Sequence, residues 1–158
     1  MNQKILALGQ WLSTFPYENV TKHDAGEPRG PVRLQNEWKE RGAGGTCFSL
    51  VNLAVKKARD EYGLAPRYYL GDRPKGEDRH CVIGFPQEGV FLDPGYLCYG
   101  PLPLDPEDTY RLQRPQNILQ LDPIDPDRLK IQTERKGQLT WRYTLKTEPV
   151  TRDRYERA

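Results

Sequence analysis

Ile5, Leu8, Trp11 and Leu12 fall on one stripe at helical spacing, which predicts an amphipathic helix over residues 3 to 14 that Pro16 ends. A polar stretch rich in Gly and Pro, His23 to Pro31, reads as a loop, and a short helix is expected around Leu34 to Lys39. Next comes the glycine-rich turn Gly42-Ala43-Gly44-Gly45-Thr46-Cys47. It opens onto Phe48 to Tyr62, where Val51, Val55, Ala58 and Tyr62 share a face that Leu50 and Ala54 widen, and Gly63 is a natural stop. Cys47 therefore stands at the N-terminus of the most strongly patterned helix.

From Pro66 the period changes from helical to alternating. Arg67 to Leu70, His80 to Phe85 and Gly89 to Asp93 read as strands separated by the turn-rich stretches Gly71 to Asp78 and Pro86 to Gly89. Leu129 to Arg135 and Leu139 to Leu145 alternate around Lys136-Gly137 as a hairpin. Pro101 to Pro106 and Pro115 to Pro126 read as proline-rich connectors. Helices first and antiparallel strands afterwards make an α+β fold, with an N-terminal helical part packed on an antiparallel sheet or partial barrel. The expected division is a helical part over 1–64, a β part over 65–150 and a charged tail over 151–158.

Composition narrows the class of function. The chain has 158 residues, 36% hydrophobic and 29% charged, enough for one folded domain and too rich in apolar residues for disorder. With 24 basic and 22 acidic residues the net charge is only +2, and no basic run is interleaved with aromatics, which argues against a nucleic-acid partner. No apolar stretch has membrane-spanning length, and the N-terminus has no secretory-type apolar region. The three cysteines, Cys47, Cys81 and Cys98, cannot all pair within one chain, so a reducing, cytoplasmic setting is expected.

Candidate chemistry centres on Cys47. A helix N-terminus favours a thiolate through its partial positive charge and free N–H groups, which also suit an oxyanion hole. The glycines before it permit close approach of a substrate carbonyl. The alternative is a buried structural cysteine beside a flexible turn. Of only two histidines, His80 lies on a strand with Val82 and Gly84 on its side and Cys81, Ile83 and Phe85 on the other. Asp93 ends the next strand, so antiparallel pairing would bring the two together as base and orienting carboxylate. An ordinary histidine and a simple Asp-Pro-Gly turn are the alternatives. Cys47, His80 and Asp93 together make a candidate Cys-His-Asp triad.

Four runs in order, Pro16-Tyr17-Glu18-Asn19-Val20, Gly44-Gly45-Thr46-Cys47-Phe48, His80, and Leu92-Asp93-Pro94-Gly95-Tyr96, resemble the arylamine N-acetyltransferases of the wider transglutaminase-like cysteine-enzyme group. The resemblance covers roughly residues 5 to 105, and more loosely the hairpin to about Val150. It implies that Cys47 is an acyl-accepting nucleophile, with His80 as base and Asp93 as orienter. Tyr17, Phe48, Gly95 and Tyr96 would be substrate-binding, acetyl-CoA or another acyl-CoA the donor, and a small-molecule amine the acceptor. Where the family has arginine four residues before the cysteine, this chain has Ala43. Ser49-Leu50-Val51-Asn52 replaces Glu-x-Asn, and Pro94-Gly95-Tyr96-Leu97 replaces Val-Gly-Phe-Gly. Family members are longer and carry a third, C-terminal domain, so a homo-oligomer or a partner that completes the cleft is also open. Cys47, Ala65-Pro66-Arg67 and Phe91-Leu92-Asp93-Pro94 equally resemble the generic transglutaminase-like pattern, which implies an amidase or amide-forming enzyme without CoA. A non-catalytic relative acting as a binding subunit is the third reading.

Other candidates carry less. Adjacent His80 and Cys81 point to opposite faces and no Cys-x-x-Cys pair exists, which argues against zinc, so Cys81 and Cys98 read as small core residues. His23 is expected in solvent. Tyr17, Glu18 and Asn19 either line the site or cap a helix, Phe48 is core or pocket wall, and Trp38, Trp141 and Tyr143 read as packing residues. Arg152, Asp153, Arg154, Glu156 and Arg157 read as a mixed-charge solvated tail.

Overall fold

The computed structural model describes residues 2–15, 17, 46–74 and 76–158. The expected loop at 23–31, the short helix around Leu34 to Lys39, and residues Glu18, Asn19, His23, Trp38 and Gly42 to Gly45 lie outside the described residues.

The first helix, α1, spans Gln3–Leu12 and buries Ile5, Leu8 and Leu12, with the Asn2 side chain accepting from the Lys4 N–H at its start. The second, α2, spans Cys47–Asp60, and Gly63, with φ of +63°, turns the chain away behind it. Eight strands follow: β1 (Arg67–Arg73), β2 (Gly76–Phe85), β3 (Val90–Asp93), β4 (Cys98–Pro103), β5 (Tyr110–Gln113), β6 (Ile118–Asp125), β7 (Arg128–Arg135) and β8 (Gln138–Lys146). A short 3-10 turn, Pro94–Tyr96, joins β3 to β4, and α3 (Arg152–Arg157) closes the described chain.

The strands form one antiparallel sheet in the order β4-β3-β2-β1-β8-β7-β6-β5. Two runs of consecutive hairpins, β1 to β4 and β5 to β8, are stitched together where Gly71 pairs with Leu145 and Asp72 with Thr144. Side-chain alternation then sorts the core. Leu70, Cys81, Ile83 and Leu92 face outward from the sheet onto Ile5, Leu8 and Leu12 of α1 and Val51, Ala54, Val55 and Ala58 of α2. Tyr69, Val82 and Phe91 face the other way and meet Leu119, Leu121, Leu129, Ile131, Tyr143 and Leu145 from the far half of the sheet. One apolar cluster gathered from both halves means the sheet curls on itself, so the fold is α+β with a partial barrel.

Three sequence expectations are corrected. The proline-rich stretches contain strands β4 and β6. Pro101 and Pro103 are tolerated because β4 is an outer strand. Pro123 is tolerated because β5 covers β6 only from Ile118 to Leu121, leaving the Pro123 side of the ladder open. Trp141 is no packing residue: it is 40% exposed. The stretch from Thr151 is not simply solvated either. Thr151 caps α3 by accepting from the Arg154 N–H, and Tyr155 is buried, stacked on Tyr68 at 4.2 Å between ring centroids. The charged α3 side chains stay exposed, and Arg154 reaches Asp78 at 3.2 Å. No helix among the described residues is long and apolar enough to cross a membrane.

Candidate active site

Cys47 is the first residue of α2, held there by a local cap. Thr46 is extended (ψ 169°), and its hydroxyl accepts from the Ser49 N–H. This exposes the sulfur to the partial positive charge of the helix start. His80 comes from β2 and Asp93 from the end of β3. In the β2–β3 register Ile83 pairs with Leu92 and Gly84 with Phe91, so Asp93 falls on the face of Val82 and diagonally opposite His80. The His80 Nε2 meets Asp93 Oδ1 at 2.9 Å, with both side chains buried.

Asp93 accepts from two further donors. The Tyr143 hydroxyl donates to Oδ2 at 2.6 Å, and the Tyr96 backbone N–H donates to Oδ1 at 3.2 Å. Burial first, then the Asp93 charge, push the Tyr143 hydroxyl well up, so it stays protonated and serves as a donor. The rings of Tyr143 and Tyr96 also wall in the imidazole, at 4.3 and 5.1 Å between centroids. His80 Nδ1 is buried and makes no hydrogen bond. The Cys47 side chain lies beside the ring, close enough for its charge to act on the imidazole.

Gly95 is where the three side chains converge. A Cβ built there would lie 2.6 Å from His80 Cε1, 2.8 Å from Cys47 Cβ and 3.4 Å from Asp93 Oδ1. Any side chain at this position would push the constellation apart, so what Gly95 supplies is room.

The electrostatics favour a charged pair. Hydrogen bonding from Cys81 is the largest influence on Cys47; together with the charge of His80 it overcomes burial and holds the thiol well below its usual value. Burial works against charge on His80, but the Asp93 carboxylate and the Cys47 sulfur outweigh it and push the imidazole up to about 9. Burial pushes the Cys81 thiol well up, so it remains a donor. Both shifts favour the charged forms, a thiolate beside an imidazolium.

Of the remaining sequence candidates, Tyr96 lies against His80. Tyr17 is partly buried and packs on the helix-side core. The Phe48 ring lies 5.5 Å from that of Tyr155, whose hydroxyl donates to the Phe48 carbonyl, so Phe48 is wall toward α3. Cys81 and Cys98 are buried and unpaired with each other or Cys47. No group of three or more His, Cys, Asp or Glu is placed to hold a metal ion among the described residues. Sequence reasoning missed the roles of Tyr143 and Cys81. The neighbour of His80 in sequence was a usable signal for Cys81. Tyr143, 50 positions from Asp93, carried none.

No protein-family model matches this sequence, and neither does any curated protein. Solved structures do. An arylamine N-acetyltransferase from Mycobacterium marinum superposes on 95% of this chain with a TM-score of 0.74 at 20% identity. The fold is that of the arylamine N-acetyltransferases. A second M. marinum structure, in complex with CoA, matches 72% of the chain with a TM-score of 0.57 and 21% identity. The Bacillus cereus arylamine N-acetyltransferase, described as having a Cys-His-Glu catalytic triad, matches 90% with a TM-score of 0.65 and 15% identity. The chain spans only 46%, 60% and 61% of the lengths of these solved N-acetyltransferase chains.

Proposed function

We propose that this chain is an acyltransferase that carries an acyl group as a thioester on Cys47, from an acyl-CoA such as acetyl-CoA to a small-molecule amine. The observation that carries this reading is the convergence of Cys47, His80 and Asp93 on Gly95, with His80 Nε2 on the Asp93 carboxylate at 2.9 Å. In the first half-reaction the Cys47 thiolate adds to the thioester carbonyl of the donor. N–H groups of the first turn of α2 stabilise the oxyanion. The C–S bond of the donor then breaks, His80 gives its proton to the leaving thiolate, and the acyl group stays on Cys47. In the second half-reaction the amine nitrogen adds to the acyl carbonyl while His80 takes its proton. Cys47 leaves as the thiolate, paired again with an imidazolium. Asp93, held by Tyr143 and Tyr96, fixes the ring so that one nitrogen serves both transfers.

Intact mass spectrometry after incubation with acetyl-CoA tests the reading. The expected result is a gain of one acetyl group that is absent from Cys47→Ala and is lost when an aromatic amine is added. A second reading, a cysteine amidase or amide-forming enzyme without CoA, would use the same Cys47, His80 and Asp93 converging on Gly95. Rapid electrophile labelling of Cys47 with no acyl gain from any acyl-CoA would select it.

A further inference from the structure

Arg73 ends β1 beside the site. Its Nη2 donates to the Tyr96 hydroxyl at 3.3 Å, and its guanidinium carbon lies 5.5 Å from the Tyr96 ring centroid. The Tyr96 ring in turn sits edge-on to His80 at 5.1 Å. One aromatic ring therefore separates the guanidinium from the imidazole. The Arg73 Nε is shielded from solvent and has no hydrogen-bond partner. Among the described residues no carboxylate pairs with Arg73. Two carboxylates nearby in sequence are engaged elsewhere: Asp72 pairs with Lys146 at 2.9 Å, and Asp78 with Lys146 at 2.7 Å and Arg154 at 3.2 Å.

A partly buried arginine with one hydroxyl partner and an unanswered Nε–H leaves much of a rigid donor fork unused. The Nε–H and an adjacent Nη–H present two parallel donors, the geometry that a carboxylate meets bidentately. A phosphate of a CoA donor is a poor fit, because the pantetheine arm separates it from the sulfur that must reach Cys47.

We propose that Arg73 is a specificity-determining residue that binds a carboxylate on the substrate, so that either the acyl group or the amine passing over Cys47 is anionic. The proposal rests on the acyl-transfer reading above and names its substrate class.

The first test uses two alkylating probes of Cys47, iodoacetate and iodoacetamide, which differ in carrying a carboxylate or a neutral amide. Both react through the same thiolate, so the ratio of their rates cancels any change in Cys47 ionisation. Relative to N-acetylcysteine, the ratio of iodoacetate to iodoacetamide should be raised about tenfold in the wild type and should fall about tenfold in Arg73→Gln. Arg73→Lys, which keeps the charge and guards against a folding defect, should retain an intermediate ratio. Equal ratios in wild type and Arg73→Gln overturn the proposal while leaving Cys47 a reactive nucleophile. If Cys47 reacts with neither probe faster than N-acetylcysteine, the acyl-transfer reading falls and takes the proposal with it.

The second test places the carboxylate. Acylation by succinyl-CoA is compared with acetyl-CoA, and acceptance by aminobenzoate with aniline, in wild type and Arg73→Gln. A selective loss with succinyl-CoA assigns the carboxylate to the acyl group, and a selective loss with aminobenzoate assigns it to the acceptor. Loss of neither overturns the proposal.

Discussion

His80 is the residue on which the site turns, because it holds the Asp93 carboxylate and converges with Cys47 on Gly95. Asp93 and Cys47 outweigh burial and push its imidazole up to about 9, which favours the charged form beside Cys47. The sign of the resulting pH dependence is fixed by the two shifts. Cys47 is lowered, so its thiolate survives as pH falls through the range where an ordinary thiol protonates. His80 is raised, so the imidazolium persists until pH rises through about 9. At pH 6, alkylation of Cys47 by iodoacetamide should exceed that of N-acetylcysteine by roughly 100-fold, allowing for the weaker intrinsic nucleophilicity of a low-pKa thiolate. A profile that tracks the free thiol would exclude the ion pair. Tyr143→Phe tests the support beneath it. Removing this buried donor to a carboxylate should cost about 1.5–3 kcal/mol, read as a lowered urea midpoint at unchanged slope, and should slow acylation of Cys47. An unchanged urea midpoint and an unchanged acylation rate in Tyr143→Phe would rule out this role for it.

Cys47 was the most readable of these residues, because a helix start can be recognised from local features: a glycine turn before it and an apolar stripe behind. His80 was readable through strand alternation, and its placement on the face of Val82 and Gly84 follows from a period of two. Asp93 needed the β2–β3 pairing as well.

At the scale of elements, the two helices were recoverable because each has a single apolar stripe, Ile5-Leu8-Leu12 in α1 and Val51-Ala54-Val55-Ala58 in α2. Strands β1, β2, β3, β7 and β8 were recoverable from alternation, although β1 and β2 run longer than read and meet through a tighter turn than Gly71 to Asp78 suggested. Strands β4, β5 and β6 were not. Proline is a local signal for a break, and it is overridden only where the strand has an open side. Openness is a property of the sheet order, which places β4 at one end and leaves the last residues of β6 without a partner from β5.

At the scale of the whole molecule, α3 couples the C-terminal residues to the helix bearing the nucleophile. Tyr155 stacks on Tyr68, packs near Phe48 and donates to the Phe48 carbonyl one residue beyond Cys47. Tyr155→Ala should therefore destabilise the protein by about 3–5 kcal/mol, the range for emptying a buried aromatic site. Thermal or urea denaturation checks this. A change below about 0.5 kcal/mol would show that α3 is dispensable packing.

The sequence by itself determined what is local: where α1 and α2 start and stop, which strand faces are apolar, and that a cysteine at a helix start and a strand histidine are available for chemistry. Those properties depend on periods of a few residues and on caps. Only the tertiary structure decided that β8 crosses to pair with β1, bringing Tyr143 onto Asp93. It also decided that Gly95 leaves room for three side chains to meet, and that Arg73 comes to rest against Tyr96 without a carboxylate. Each is a contact between segments far apart in the chain, selected by how the sheet curls around a shared core, and no short-range pattern encodes that curl.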